Sequence, residues 1–347
     1  MRGDQRQAVR WLRHVLVVML VLGITGCAQV RKMMYKTTGD VMFMFAEEVQ
    51  VPYMLTTDDV DMNCGMSRSL TPLLMSFGEV TAAPDKLGVM VYSSAGICAE
   101  ARAREENLRY LRAIKAQDAN EAEDALAAQK RWHVVAAKRN FVAYKHLVSA
   151  FGEPGGECPA LDNEFDQLIY LMGLLSGLQA LNNEIASTTA IGVPKNVAAK
   201  AERASSCLDD NRWWGAPMAL KATIWAMLPG ATPKGEDPWL RLENAAKKGE
   251  RARVRLAHVF WALAAYSQGK TDLVKDIIRR HAKEKQKHMA KPQYRFVDEL
   301  ATQILMALSD EMWTEATGHR TPIGAFGTFW DDQKAAPAET INLDDLL

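Results

Sequence analysis

The chain has 347 residues, with 42 Lys plus Arg against 42 Asp plus Glu, 48% hydrophobic residues, 24% charged residues and 13 prolines. That composition excludes collagen-like, low-complexity and wholly disordered chains. Formal neutrality excludes the clustered cationic excess with which a dedicated nucleic-acid binder neutralises phosphates, so no nucleic-acid partner is expected.

Residues 1–14 carry Arg2, Arg6, Arg10 and Arg13 against one acid, Asp4, and are followed by an apolar run that ends in Ile24-Thr25-Gly26-Cys27. A basic start, an apolar stretch and a small-residue exit form a secretion signal, too short for a spanning helix of about 20 residues. The four residues Ile24 to Cys27 resemble the bacterial lipobox, whose cysteine is acylated and becomes the new N-terminus. The expectation is therefore a lipoprotein signal peptide over 1–26 and a lipid on Cys27. Ala28 stands where retention in the inner membrane would use Asp, which implies the periplasmic face of the outer membrane. Without residues 1–26, which hold four Arg and one Asp, the net charge is −3.

Residues 27–57 read as a lipidated tether leading into a first helix or helical turn. Met33, Met34, Met42, Phe43, Met44 and Phe45 show no strand alternation; a metal-binding methionine box is one reading, but methionine is far more often filler in an apolar core. From Asp58 onward the pattern is helical. Leu70, Leu73, Leu74 and Phe77 recur at i, i+3, i+4 and i+7, and Val89, Tyr92, Gly96 and Ala99 do so more loosely. Small residues from Ser93 to Ala103 suit close helix approach. Asp118 to Glu121 opens a long helix over 118–150 with a capping-box-like start, and Pro154-Gly155-Gly156 breaks the chain. Phe165, Leu168, Ile169, Met172 and Leu175 line one face of the next segment. Leu171, Leu174, Leu178 and Leu181 line another, the mark of a helix buried among helices.

Further helices are predicted over 194–207, 212–228, 237–248, 252–267, 270–284 and 294–316. The last carries Phe296, Leu300, Ile304, Leu308 and Met312 at i+4 spacing. Residues 318–347 lose periodicity and become acidic (Asp331, Asp332, Glu339, Asp344, Asp345), which predicts a flexible tail. No convincing β-branched alternation occurs. The expected fold is all-α, an α-solenoid of helical hairpins resembling degenerate tetratricopeptide repeats, with one domain over 58–317.

Four cysteines remain once Cys27 is assigned to lipid, and an exported protein keeps disulfides. In an antiparallel helix pair folded about residue 83, position 64 faces a point about one turn from Cys98, so Cys64 and Cys98 are expected to bond. Cys158 and Cys207 are left by elimination, either bonded to each other or buried as free thiols.

The familiar signatures of chemistry are missing. Gly269-Lys270-Thr271 resembles the end of a phosphate loop, but Ala264 stands where the first glycine belongs and a helix precedes it, so Gly269 reads as a helix cap. Gly173 and Gly177 have the small-xxx-small spacing of membrane helix pairs within an apolar run too short to span, and read as a close-packed helix of a folded body. No histidine pattern matches a zinc site, and no nucleophile elbow occurs, so no enzyme, metal or cofactor is expected. The most unusual cluster is Trp213-Trp214-Gly215-Ala216-Pro217. Adjacent indoles at a helix start point to different faces, so one is a candidate for an exposed ligand or partner surface, together with Arg212, Trp225 and Trp239; the alternative is that both plug gaps between helices.

Several stretches resemble the TatT lipoproteins, the periplasmic T components associated with some tripartite ATP-independent periplasmic (TRAP) transporters. They are 55–60, 69–74 and 83–88, the small-residue helix ending Cys98-Ala99-Glu100-Ala101-Arg102, Trp214-Gly215-Ala216, Gly235-Glu236-Asp237-Pro238, and Phe296 to Trp313. Together they cover roughly residues 40–317. The resemblance implies an α-helical lipoprotein with cryptic tetratricopeptide-like repeats that can form a trimer and docks the transporter's periplasmic substrate-binding protein. It also implies a groove or pore through the protomer. Two other functions share most of these features: a lipoprotein whose helices themselves bind a small hydrophobic or carboxylate ligand, and an envelope assembly factor.

Overall fold

The computed structural model describes residues 11, 13, 14, 29–81 and 84–332. Cys27, the rest of the expected signal peptide and the acidic end from residue 333 lie outside the described residues. The described chain is all-α. Helix α1 covers 29–55, interrupted by a π turn at Ala46–Gln50. It is followed by α2 (Val60–Ser76), α3 (Asp85–Lys115), α4 (Ala119–Phe151), α5 (Glu164–Ser187), α6 (Val197–Ala204), α7 (Ala216–Met227), α8 (Pro238–Ala252), α9 (Leu256–Ser267), α10 (Thr271–Lys287) and α11 (Arg295–Thr317). No strand occurs among the described residues.

Local chemistry sets many of the boundaries. Asp59, Asp118, Asn163 and Asp237 each accept a bond from a first-turn amide of the helix that follows, satisfying donors that have no partner within the helix. Gly318 ends α11 in the left-handed conformation that an L side chain disfavours.

Helices α3 and α4 form an antiparallel hairpin about 50 Å long at 1.5 Å rise per residue, and α5 lies along it. Small side chains let these helices approach closely. A Cβ at Gly96 would come within 2.4 Å of Asn140 Oδ1 on α4; at Gly173 and Gly177 it would come within 2.7 Å of Leu147 and 2.6 Å of Tyr144. The small-xxx-small spacing of α5 therefore serves close packing on α4. One core joins α1, α3, α4, α5, α6 and α7 through residues such as Leu147, Ile169, Leu174, Val197 and Trp213. A second, alanine-rich core joins α7 to α11 through Leu242, Ala246, Ala262, Ile277 and Leu305.

The helices pack on one another as the expected all-α helical-repeat fold, and the array closes on itself. Helix α11 turns back onto α3 and touches α1 and α2. There Lys115 Nζ donates to the Ala316 carbonyl at 2.8 Å, and Arg320 pairs with Glu105 at 2.8 Å.

The expectation of a flexible tail from residue 318 is corrected as far as residue 332. Phe329 is buried, Lys275 pairs with Asp331 and Arg279 with Asp332 at 2.5 Å each, and Trp313 Nε1 donates to the Thr328 carbonyl. The segment has no helical period because Gly318, Gly324 and Gly327 turn it at positive φ. It is held instead by aromatic rings, with Lys275 Nζ 4.7 Å from the Trp330 ring centre.

Candidate functional site

The tryptophan cluster is not a surface. Trp213 is 0% and Trp214 2% exposed. The predicted helix start at 212 is in fact a turn, with α7 beginning only at Ala216. Trp214 (φ 56°) and Gly215 (φ 78°) are both left-handed, which carries both indoles inward. Trp213 Nε1 donates to Gln167 Oε1 at 2.9 Å, the two indoles meet edge to face, and Trp214 meets Tyr294 in the same way. The Tyr294 hydroxyl donates to Glu164, which also pairs with the exposed Arg212 at 2.9 Å. A Cβ at Gly215 would fall 2.5 Å from the Ala245 carbonyl, so this turn is pressed against α8. Trp225 is buried in the second core and donates to Glu202, and Trp239 is half-buried beneath Lys270 Nζ at 4.9 Å. The four candidate tryptophans thus fall in two cores, and of the five candidate residues Arg212 alone is exposed.

The cysteines are bonded Cys64 to Cys98 and Cys158 to Cys207. The second bond is reached because the 152–163 loop folds across α6, where Arg203 Nε donates to the Gly155 carbonyl and Lys200 pairs with Glu153.

Two buried polar networks hold the helices in register. Glu100 on α3 accepts from Asn140 on α4 at 3.0 Å and from Asn183 and Gln179 on α5 at 2.7 and 3.2 Å. Burial raises its pKa above the ordinary carboxylate value, against the pull of Arg104 and the two asparagines. In the second core, fully buried His258 and His281 face each other at 3.3 Å. His258 is bonded to Glu250 at 2.9 Å and His281 to Thr302 at 3.1 Å. Burial lowers the pKa of both, that of His281 well below the ordinary value, with His258, Arg255 and Lys285 adding to the effect. Burial pushes Glu250 upward, but its bonds to His258 and Arg280 prevail and bring it to about 2. Most of the side-chain bonds in these networks join one helix to another. Among the described residues no group of three or more His, Cys, Asp or Glu side chains is placed to hold a metal ion. A cavity between α1, α2 and α3, lined by Gln50, Met54, Met66, Leu70 and Met90, measures about 10 Å³, room for one water.

The feature without an internal role is the outer face of α1. Residues 29–38 are exposed on all sides, and beyond them Gly39, Ala46, Val51 and Met54 are buried against the body. Gly39 permits this approach, since a Cβ there would overlap Thr81 and crowd Phe77. The opposite face leaves Val30, Met34, Val41, Met44, Phe45, Val49 and Tyr53 exposed, Tyr53 by 71%. The expectation that this methionine-rich stretch fills the core is therefore corrected for Met33, Met34, Met44 and Phe45; Phe43 alone of the aromatic pair packs on the core. Such a concentration of apolar surface is uncommon on a folded body and marks a contact site. The signal for it in the sequence is that both faces of one helix are apolar, a pattern that also fits a fully buried helix. No helix among the described residues is long and apolar enough to cross a membrane.

No protein-family model matches the chain, and neither a curated protein nor a solved structure matches it.

Proposed function

We propose that this protein is a lipid-anchored periplasmic scaffold at the outer membrane, an accessory T component of a TRAP-type transport system that docks the system's substrate-binding protein. The observation that carries the reading is the sequence Ile24-Thr25-Gly26-Cys27 placed directly before a wholly helical body with two disulfides. A lipid on Cys27 leaves that body in the periplasm, and paired helices present extended surfaces suited to a protein partner. The resemblance of residues 40–317 to TatT lipoproteins points to the substrate-binding protein as that partner and to a homotrimer as the assembly. The spending of the buried polar groups on helix packing, and of Trp213 and Trp214 on the core, favours a scaffold over a carrier that stacks a ligand on those indoles.

The test is light scattering of Ala28–Leu347, alone and mixed with the substrate-binding protein encoded beside it. A defined oligomer that gains mass on mixing is expected. An unchanged mass at micromolar concentrations of both proteins would remove the docking role and leave the envelope factor as the better reading.

A further inference from the structure

An i+4 series on an ordinary helix drifts, because four residues overrun a 3.6-residue turn by about 40°. Val41, Phe45, Val49 and Tyr53 form such a series, and over three steps it would rotate into the body that buries Ala46, Val51 and Met54. The π turn prevents this. At Ala46–Gln50 the Val51 amide donates to the Ala46 carbonyl, one residue further back than in an α-helix. The extra residue takes up the drift, and Pro52, which has no amide to return to the helix, stands just beyond it. The result is one straight outward face, Val30, Met34, Val41, Phe45, Val49 and Tyr53, opposite the face seated on the body.

We propose that this face lies in the headgroup region of the bilayer, so that α1 is a second, non-covalent membrane contact beside the lipid. The inference rests on the lipid anchor proposed at Cys27. An acyl chain there holds residue 29, two residues further on, close to the membrane surface, and the exposed turns 29–38 are the described part of α1 nearest to it. Charge points to the same occupant. Arg31, Lys32 and Lys36 cluster on the first turns, at the end next to Cys27, with no acid before Asp40, whereas Asp40, Glu47 and Glu48 follow further from the anchor. The positive charge of α1 is thus concentrated where a basic segment meets an anionic phospholipid surface. The body would then sit on top of α1 with its orientation fixed, which a single flexible lipid tether does not achieve.

The experiment is sedimentation of Ala28–Leu347, which contains every helix from α1 to α11, with vesicles of phosphatidylethanolamine and phosphatidylglycerol and with phosphatidylcholine vesicles as control. Binding to the anionic vesicles that weakens with salt is expected. Val41→Glu with Phe45→Glu should reduce it by about tenfold or more, and Lys32→Glu with Lys36→Glu should abolish its preference for anionic lipid, both with unchanged melting temperature because these side chains face solvent. Absence of binding, or binding that both double variants retain, would overturn the proposal. Self-association that Val41→Glu with Phe45→Glu disrupts, without vesicle binding, would assign the face to a second copy and equally overturn it. Palmitate labelling of the full chain and of its Cys27→Ala variant reads the anchor separately. Labelling without vesicle binding sinks the α1 contact alone, and vesicle binding without labelling sinks the anchor alone.

Discussion

Trp214 and Tyr294 meet edge to face with ring centres 4.5 Å apart, joining the turn before α7 to the start of α11. Through Tyr294 and Glu164 the same contact reaches α5, so three distant parts of the chain depend on it. Trp214→Ala should cost about 3–5 kcal/mol, and Tyr294→Phe, which removes only the hydroxyl bond, about 0.5–1.5 kcal/mol. Urea unfolding measures both; a loss below 1 kcal/mol for Trp214→Ala would mean the junction is peripheral.

The disulfides close loops with sequence separations of 34 and 49. Loop-closure entropy then gives each a contribution of about 4 kcal/mol, the Cys158–Cys207 bond slightly the larger. Paired serine variants should lower the urea midpoint by corresponding amounts. Thiol labelling of the unreduced, denatured protein should find none of these four cysteines free, and labelling of any pair would disprove its bond.

Acid should weaken the second core first. His258 and His281 bind protons less readily folded than unfolded, so below the ordinary histidine value of 6.5 the unfolded chain takes up more protons. The stability they contribute is complete above that pH and is lost as pH falls below it. Glu250, lowered to about 2 from 4.5, adds a second loss across that lower window. The melting temperature should fall between pH 7.5 and pH 5.5, and the fall should be smaller in His281→Gln. An equal fall in the variant would place the sensitivity elsewhere.

Gly96 and Glu100 lie on the same stretch of α3, and both depend on Asn140. A methyl at position 96 must displace the Asn140 side chain that donates to Glu100. Gly96→Ala should therefore destabilise by about 1–3 kcal/mol despite alanine's better helix propensity. Glu100→Ala, which strands the amide donors of Asn140 and Asn183, should also cost about 1–3 kcal/mol or more. Calorimetry that finds Gly96→Ala stabilising would show that α3 and α4 are less tightly apposed.

Helix positions were legible because each depends on nearby residues. The Asp118 cap, the break at Pro154 and the i+4 stripe of α11 are local signals, and the helices begin and end within a few residues of them. The pairing of Cys64 with Cys98 can be read in the same way, since one hairpin turn separates them. That of Cys158 with Cys207 cannot, because it depends on a loop folding across α6. The fate of Trp213 and Trp214 was hidden for a related reason: two left-handed residues in a turn, invisible to helical periodicity, decide where the rings point.

The sequence by itself determined an all-α chain, its capped helix starts and the small-residue seams along which α3, α4 and α5 meet. Tertiary structure alone decided that α11 returns to α3, that 318–332 pack against α10 and α11, and that one apolar face of α1 is buried while the other is left open. Periodicity records how apolar a face is, whereas burial depends on whether a distant element arrives to cover it.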